Sequence, residues 1–353
     1  MPDLDAPATF SACDPRGMLA HITGLPEQCA EAWRRASDVR LPAAYRKAHS
    51  ILFLGLGGSA IGSDLLRGLV SDECPVPIIV HRDYGLPAFV DRRTLVVACS
   101  YSGNTEETLS GFEQAATVGA LLMAVTTGGK IWQRCRDLDV PVYTYEYLSQ
   151  PRAALGYSLF SLLRILQDLG YVADKSADVD EAVATMQAWR LEIGPEVPVA
   201  SNAAKALATR LHHRLPVIYG AEHLAEVSRR WKGQLNENSK SWAVFDVAPE
   251  LTHNSVAGYQ NPGRLSPLAH TVILSAPSVH PRVQARLGFA RKLLGSCGHS
   301  SEAVEARGQS KLAQAMSLVH FGDLVSYYLG MLYGVDPWEI ANIDEMKRSM
   351  GAV

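Results

Sequence analysis

Short runs that are apolar throughout, each followed by small or hydroxyl residues and then by apolar positions at helical spacing, recur along the first half of the chain. The run Ile51-Leu52-Phe53-Leu54 ends in Gly55-Leu56-Gly57-Gly58-Ser59-Ala60-Ile61-Gly62, after which residues 64–70 take up helical periodicity. Further runs at residues 77–80, 95–99, 121–125 and 140–143 predict four more strands, with helices over 64–70, 105–117 and 130–136 between most of them. Strands that are continuously apolar rather than alternating are buried on both faces, so the pattern predicts an α/β fold with a parallel sheet covered by helices. Ligands of such sheets bind outside the carboxyl ends of the strands, where the glycine and serine turns fall.

Upstream, Met18, Ile22, Leu25, Cys29 and Trp33 recur at helical spacing, with Pro26 and Pro42 marking breaks, which predicts a helical lead-in over residues 1–50. Residues 51–172 then form the first α/β domain and the polar, acidic, helix-prone residues 173–198 a linker. Residues 199–353 restart the pattern: 215–225 echo the first strand, turn and helix, and 271–278 echo the strand that ends at Ser100. The second copy lacks the glycine cluster and the hydroxyl-rich turn, so anion binding is expected in the first half alone. A long helix is predicted over 310–334, and Asp336-Pro337 is expected to start a terminal helix bearing Ile343, Met346 and Lys347.

The chemistry starts at the end of the third strand, in Ser100-Tyr101-Ser102-Gly103-Asn104-Thr105-Glu106-Glu107-Thr108. Ser100, Ser102 and Thr105 each supply a hydroxyl donor, Gly103 lets backbone amides approach an anion, and the helix that follows presents free amides and the positive end of its dipole. An ordinary Ser/Thr helix cap is the plain alternative. The turn Gly55-x-Gly57-x-x-Ala60, with Asp83 downstream, also meets the loose dinucleotide fingerprint, although hydroxyls converging from two strand ends fit a monophosphate better. Glu237 and His253 stand in polar connectors beside apolar strands, where a solvated helix-end carboxylate and a capping or partly buried imidazole are the plain readings. No His, Cys or Glu group has ligand spacing and no Gly-x-Ser-x-Gly elbow is present, so neither a metal nor a serine nucleophile is expected.

Composition narrows the partners. A net charge of −3 with 20% charged residues leaves no basic stripe, which argues against nucleic acid and anionic membranes. The six cysteines are scattered without a Cys-x-x-Cys pair, no apolar run reaches membrane-spanning length, and the first residues lack the character of a signal peptide. A cytoplasmic protein is the expectation.

Taken in order, Gly57-Gly58-Ser59, Ser100-x-Ser102-Gly103-Asn104-Thr105-x-Glu107-Thr108, Pro151-Arg152, Glu237-Asn238-Ser239-Lys240, Glu250-Leu251-x-His253-Asn254 and a terminal helix with Lys347 resemble the bifunctional phosphoglucose/phosphomannose isomerases of the sugar isomerase (SIS) fold group. The resemblance runs from about residue 51 to 347. It implies two SIS-like subdomains, each a parallel sheet flanked by helices in an α-β-α sandwich, and a homodimer with shared active sites. It further implies a sugar phosphate substrate and interconversion of glucose 6-phosphate with fructose 6-phosphate, extending to mannose 6-phosphate, without a cofactor. By the same resemblance Gly58, Ser59, Ser100, Ser102 and Thr105 surround the phosphate, and Glu237 is the base that moves a proton between C1 and C2 through a cis-enediol. His253, supplied by the partner subunit, assists ring opening; Arg152 lies near the reacting oxygens and Lys347 near the ring oxygen. Trp338 and Ile340 occupy a region where some members carry threonine, which implies weaker activity on mannose 6-phosphate. A phosphosugar-binding SIS regulator without turnover is the second reading, set back by the lack of a basic recognition helix in the first fifty residues.

Overall fold

The computed structural model describes residues 2–350. The chain enters through two short helices, α1 (Pro7–Cys13) and α2 (Met18–Thr23). It divides into two compact bodies, one holding residues 24–187 and 308–316, the other residues up to 23, 188–307 and from 317 onward. These bodies differ from the division read in the sequence. The change of body falls at Gln187, inside a continuous helix with no proline or glycine break to mark it, and the first residues join the second body. The cause of the latter is Lys205, whose buried ammonium donates to the carbonyls of Leu4 at 2.7 Å and Pro195 at 2.8 Å and pairs with Asp5 at 3.1 Å.

The first body is built on β1 (Ser50–Leu54), β2 (Ile78–His81), β3 (Thr94–Ser100), β4 (Leu121–Thr126) and β5 (Val142–Thr144), all parallel in the order β2-β1-β3-β4-β5. Every residue of β1 and β3 is buried, as their unbroken apolar runs require of central strands. Helices α3 (Leu25–Ala36), α4 (Gly57–Leu69), α5 (Glu106–Val118), α6 (Gly129–Asp137), α7 (Leu155–Leu169) and the first part of α8 (Ser176–Ile193) surround the sheet. Leu52, Leu54, Val96, Phe112, Ala124 and Ile131 form a core between strands and helices. The strand order reverses between β1 and β3, and the carboxyl ends at that point are the site of ligand binding in open α/β sheets.

The second body carries β6 (Leu215–Ala221), β7 (Val244–Ala248), β8 (Ala269–Ser275) and β9 (Ser300–Glu305) in the parallel order β7-β6-β8-β9. Its helices are α9 (Ala203–Leu211), α10 (Ala225–Ser239), α11 (Pro281–Ser296), most of α12 (Lys311–Tyr333) and α13 (Ala341–Met350). The chain is thus an α/β protein with two parallel sheets flanked by helices. Among the described residues no helix is long and apolar enough to cross a membrane.

Two local expectations are corrected. Glu237 is not in a connector: α10 runs through the polar stretch 233–239 because Gln234, Asn238 and Ser239, which look solvated in sequence, are buried. The terminal helix starts at Ala341 rather than at Asp336-Pro337, since the Asp336 carboxylate accepts the Trp338 amide at 2.7 Å and holds that segment in a turn.

Candidate active site

The ends of β1 and β3 meet in a single polar cradle. β1 leads into α4 through Gly57, whose φ of +50° is open to glycine at little cost. The next residue, Gly58, sits against the backbone of a separate turn, Pro151–Ala153: a Cβ at Gly58 would lie 2.6 Å from the Arg152 nitrogen. The Ser59 hydroxyl accepts the Tyr101 amide at 3.0 Å and so ties the start of α4 to the residue just past β3. Gly58, Ser59, Ser100, Tyr101, Pro151 and Ala154 are among the residues that line one small concavity.

Past Ser100, the chain turns tightly at Gly103, with φ +66°, where a Cβ would collide with the Gly128 carbonyl oxygen. Ser100 is buried and its hydroxyl lies 3.0 Å from that of Thr105. Thr105 stands at the N-cap position of α5 but its side chain makes no cap bond, which leaves the first amides of the helix without a side-chain partner there. The plain capping reading of this turn therefore fails, and free amides beside paired hydroxyls are what an anion needs. Ser102 is exposed and its hydroxyl accepts the Asn104 amide at 3.2 Å. Burial pushes the Cys99 thiol up to about 12, opposed by a hydrogen bond with Ser63, so this neighbour stays protonated at neutral pH.

Arg152 is buried on the turn beside Gly58. Tyr101, which reads as a mere spacer between two serines, proves to hold this side of the site: its hydroxyl donates to the Tyr147 carbonyl and accepts the Ser149 amide at 2.9 Å. The one signal for it in the sequence is its place inside the hydroxyl-rich turn.

The remaining candidates lie in the second body on three separate elements. Glu237 occupies the last turn of α10, half-buried. One face of this helix is bound to α12 by buried polar groups at a spacing of four: Arg230 pairs with Asp323 at 2.5 Å, Gln234 donates to Asp323 at 3.0 Å and Asn238 donates to Ser326 at 2.9 Å. Lys240 ends the helix at φ +54°, and its ammonium donates to the Glu237 carbonyl at 2.7 Å and the Asp336 carbonyl at 2.6 Å. His253 is exposed just past the turn Glu250–Thr252 that follows β7, with its amide on the Glu250 carbonyl at 2.8 Å. Lys347 is exposed on α13, a helix with no buried residue. The Trp338 ring packs against Arg16, whose guanidinium lies 5.6 Å from its centroid, and Ile340 is half-buried.

Several known proteins with similar sequences share one family name. Residues 200–350 match the family described as the bacterial phospho-glucose isomerase C-terminal SIS domain. A bifunctional phosphoglucose/phosphomannose isomerase of Caldicellulosiruptor bescii is 40% identical over 337 residues, spanning 95% of this chain and 99% of that protein. One from Aquifex aeolicus is 36% identical over 301 residues, 85% of this chain and 90% of the relative. Among solved structures, a hypothetical protein of Thermus thermophilus shares the fold with a TM-score of 0.74 at 18% identity, covering 98% of this chain and 92% of the other.

Proposed function

The chain belongs to the bifunctional phosphoglucose/phosphomannose isomerases, and on that premise we propose how its residues divide the reaction. The protein is an aldose–ketose isomerase acting on glucose 6-phosphate and fructose 6-phosphate, with mannose 6-phosphate as a second aldose. Gly58, Ser59, Ser100, Ser102 and Thr105 hold the phosphate at the switch point of the first sheet. The Glu237 carboxylate removes the C2 proton of the open-chain aldose, which gives a cis-enediol, and returns a proton to C1 while the O2 hydroxyl proton passes to O1. Negative charge grows on the oxygens during proton removal, and the Arg152 guanidinium offsets it. His253 of a partner subunit transfers the ring-opening proton, consistent with its exposure, and Lys347 faces the ring oxygen. We place this homodimer in the cytoplasm, where six free cysteines stay reduced.

The observation that carries the reading is the contact of Gly58 with the Arg152 backbone, because it sets the phosphate cradle beside a buried cation of the kind an enediol requires. The test is solvent-deuterium incorporation at C2 of glucose 6-phosphate by wild type and Glu237→Gln. Exchange in the variant should fall by at least about 10²- to 10⁴-fold, the usual contribution of a general base. Exchange at the wild-type rate would remove Glu237 from that role.

A further inference from the structure

On α3, Leu25, Cys29, Ala32 and Ala36 form a buried stripe, and Gln28, which is 4% exposed, lies within it. A primary amide carries two N–H donors and a carbonyl acceptor, and burying one is unfavourable unless these groups find partners. Gln28 spends these groups on one short stretch. Its Nε2 donates to the Ala153 carbonyl at 2.9 Å and its Oε1 accepts the Gly156 amide at 2.6 Å. It also hydrogen-bonds the Tyr147 phenol.

The two backbone groups bracket the junction between the Arg152 turn and α7. Gly156 stands in the first turn of α7, where amides have no acceptor within the helix, and the N-cap residue Ala154 has no side chain able to supply one. Gln28 therefore caps α7 from another helix and at the same time holds the carbonyl next to Arg152. The approach is close enough to require glycine: a Cβ at Gly156 would lie 2.8 Å from the Gln28 Oε1 and 2.9 Å from the Cys29 nitrogen. Gly58 touches the same turn at the Arg152 nitrogen, and Tyr101 holds the segment leading into it through the Tyr147 carbonyl and the Ser149 amide.

We propose that Gln28 is the positioning residue for Arg152: its side-chain amide fixes the Pro151–Ala153 turn and so sets where the guanidinium meets the developing charge. The inference rests on the reading of Arg152 given above. It assigns a part in the reaction to the helical lead-in, which otherwise looks like a peripheral support.

A double-mutant cycle separates this from a structural role. kcat and KM are measured for Gln28→Met, Arg152→Ala and the double variant, with thermal unfolding of each. Gln28→Met should lower kcat by about tenfold or more, within the roughly 10²-fold that a 1 Å misplacement costs, while KM stays close to wild type, the pattern of an interaction made only in the transition state. In the Arg152→Ala background the same substitution should be silent. Gly156→Ala puts a methyl 2.8 Å from the Gln28 Oε1 without changing Gln28 itself, and should give the same pattern if Gln28→Met folds poorly. An equal loss of kcat in both backgrounds, or no loss with either variant, overturns the proposal. An Arg152→Ala variant with wild-type kcat would instead overturn the role of Arg152, on which the proposal depends.

Discussion

Gly58→Ala tests the geometry of the cradle with a single methyl group. The new Cβ would lie 2.6 Å from the Arg152 nitrogen, 2.8 Å from the Pro151 carbonyl carbon and 2.9 Å from the Arg152 Cα. All three are backbone atoms, so no side chain can rotate away. Reaching ordinary contact at 3.4 Å requires the turn to move by about 0.8 Å relative to α4. Gly58 is not among the glycines at positive φ, so alanine brings no backbone strain of its own. Overpacking costs about 1–3 kcal/mol, and alanine recovers about 1 kcal/mol of helix propensity, leaving a net loss of about 0–2 kcal/mol. At about 2–4 °C per kcal/mol the melting temperature should fall by no more than about 8 °C. If Arg152 is the cation proposed to meet the developing charge, displacing it by nearly 1 Å should cost about 10²-fold in kcat. The assay is steady-state isomerisation beside thermal unfolding, with Gly288→Ala on α11, where a Cβ meets nothing within 4 Å, as the control of unchanged activity. A Gly58→Ala enzyme with kcat within threefold of wild type, or one whose loss merely tracks its unfolded fraction, would refute the argument.

Two further outcomes follow from charges in the second body. Glu302 accepts hydrogen bonds from His270 at 2.8 Å and Arg210 at 2.7 Å; burial alone would raise its pKa, but these bonds outweigh it and lower it from 4.5 to about 2. A carboxylate depressed in the folded state stabilises fully above pH 4.5 and loses that contribution as pH falls toward 2, up to about 3 kcal/mol. Urea midpoints taken over this window should therefore fall more steeply for wild type than for Glu302→Gln; parallel slopes would show that the carboxylate is not linked to folding. Asp323→Ala removes the buried carboxylate that pairs with Arg230 and accepts from Gln234, and should destabilise by about 3–5 kcal/mol in chemical denaturation, with Arg230→Met/Asp323→Leu regaining most of it. A loss below about 1 kcal/mol, the range of exposed pairs, would mean that the pair does not hold α10 to α12.

Elements whose reason lies close by in the chain were legible without coordinates. β1 and β3 announce themselves because both faces of a central parallel strand are dry, and the run must be apolar at every position. The Ser100–Thr105 turn was legible for a similar reason, since hydroxyls, a positive-φ glycine and a helix start form one contiguous stretch. β9 was not, because Ser300-Ser301-Glu302-Ala303-Val304-Glu305 is an edge strand with a single buried residue and needs no apolar run.

The polar residues divide along the same line. From the sequence alone Gln234 and Asn238 read as solvated, and Gln28 is one polar position in a helical stripe. Their partners, Asp323, Ser326, Ala153 and Gly156, stand roughly ninety to one hundred and thirty residues further along the chain. A polar side chain is stable in the interior only when something there completes its hydrogen bonds, and which group arrives is a matter of packing. The sequence by itself determined the α/β class with its parallel sheets, the hydroxyl-rich turn between β3 and α5, and the family, because these rest on local periodicity and contiguous motifs. Tertiary structure alone decided that Glu237 rides on a helix bound to α12 and that the Arg152 turn is held by Gln28, because each depends on a partner brought from far along the chain.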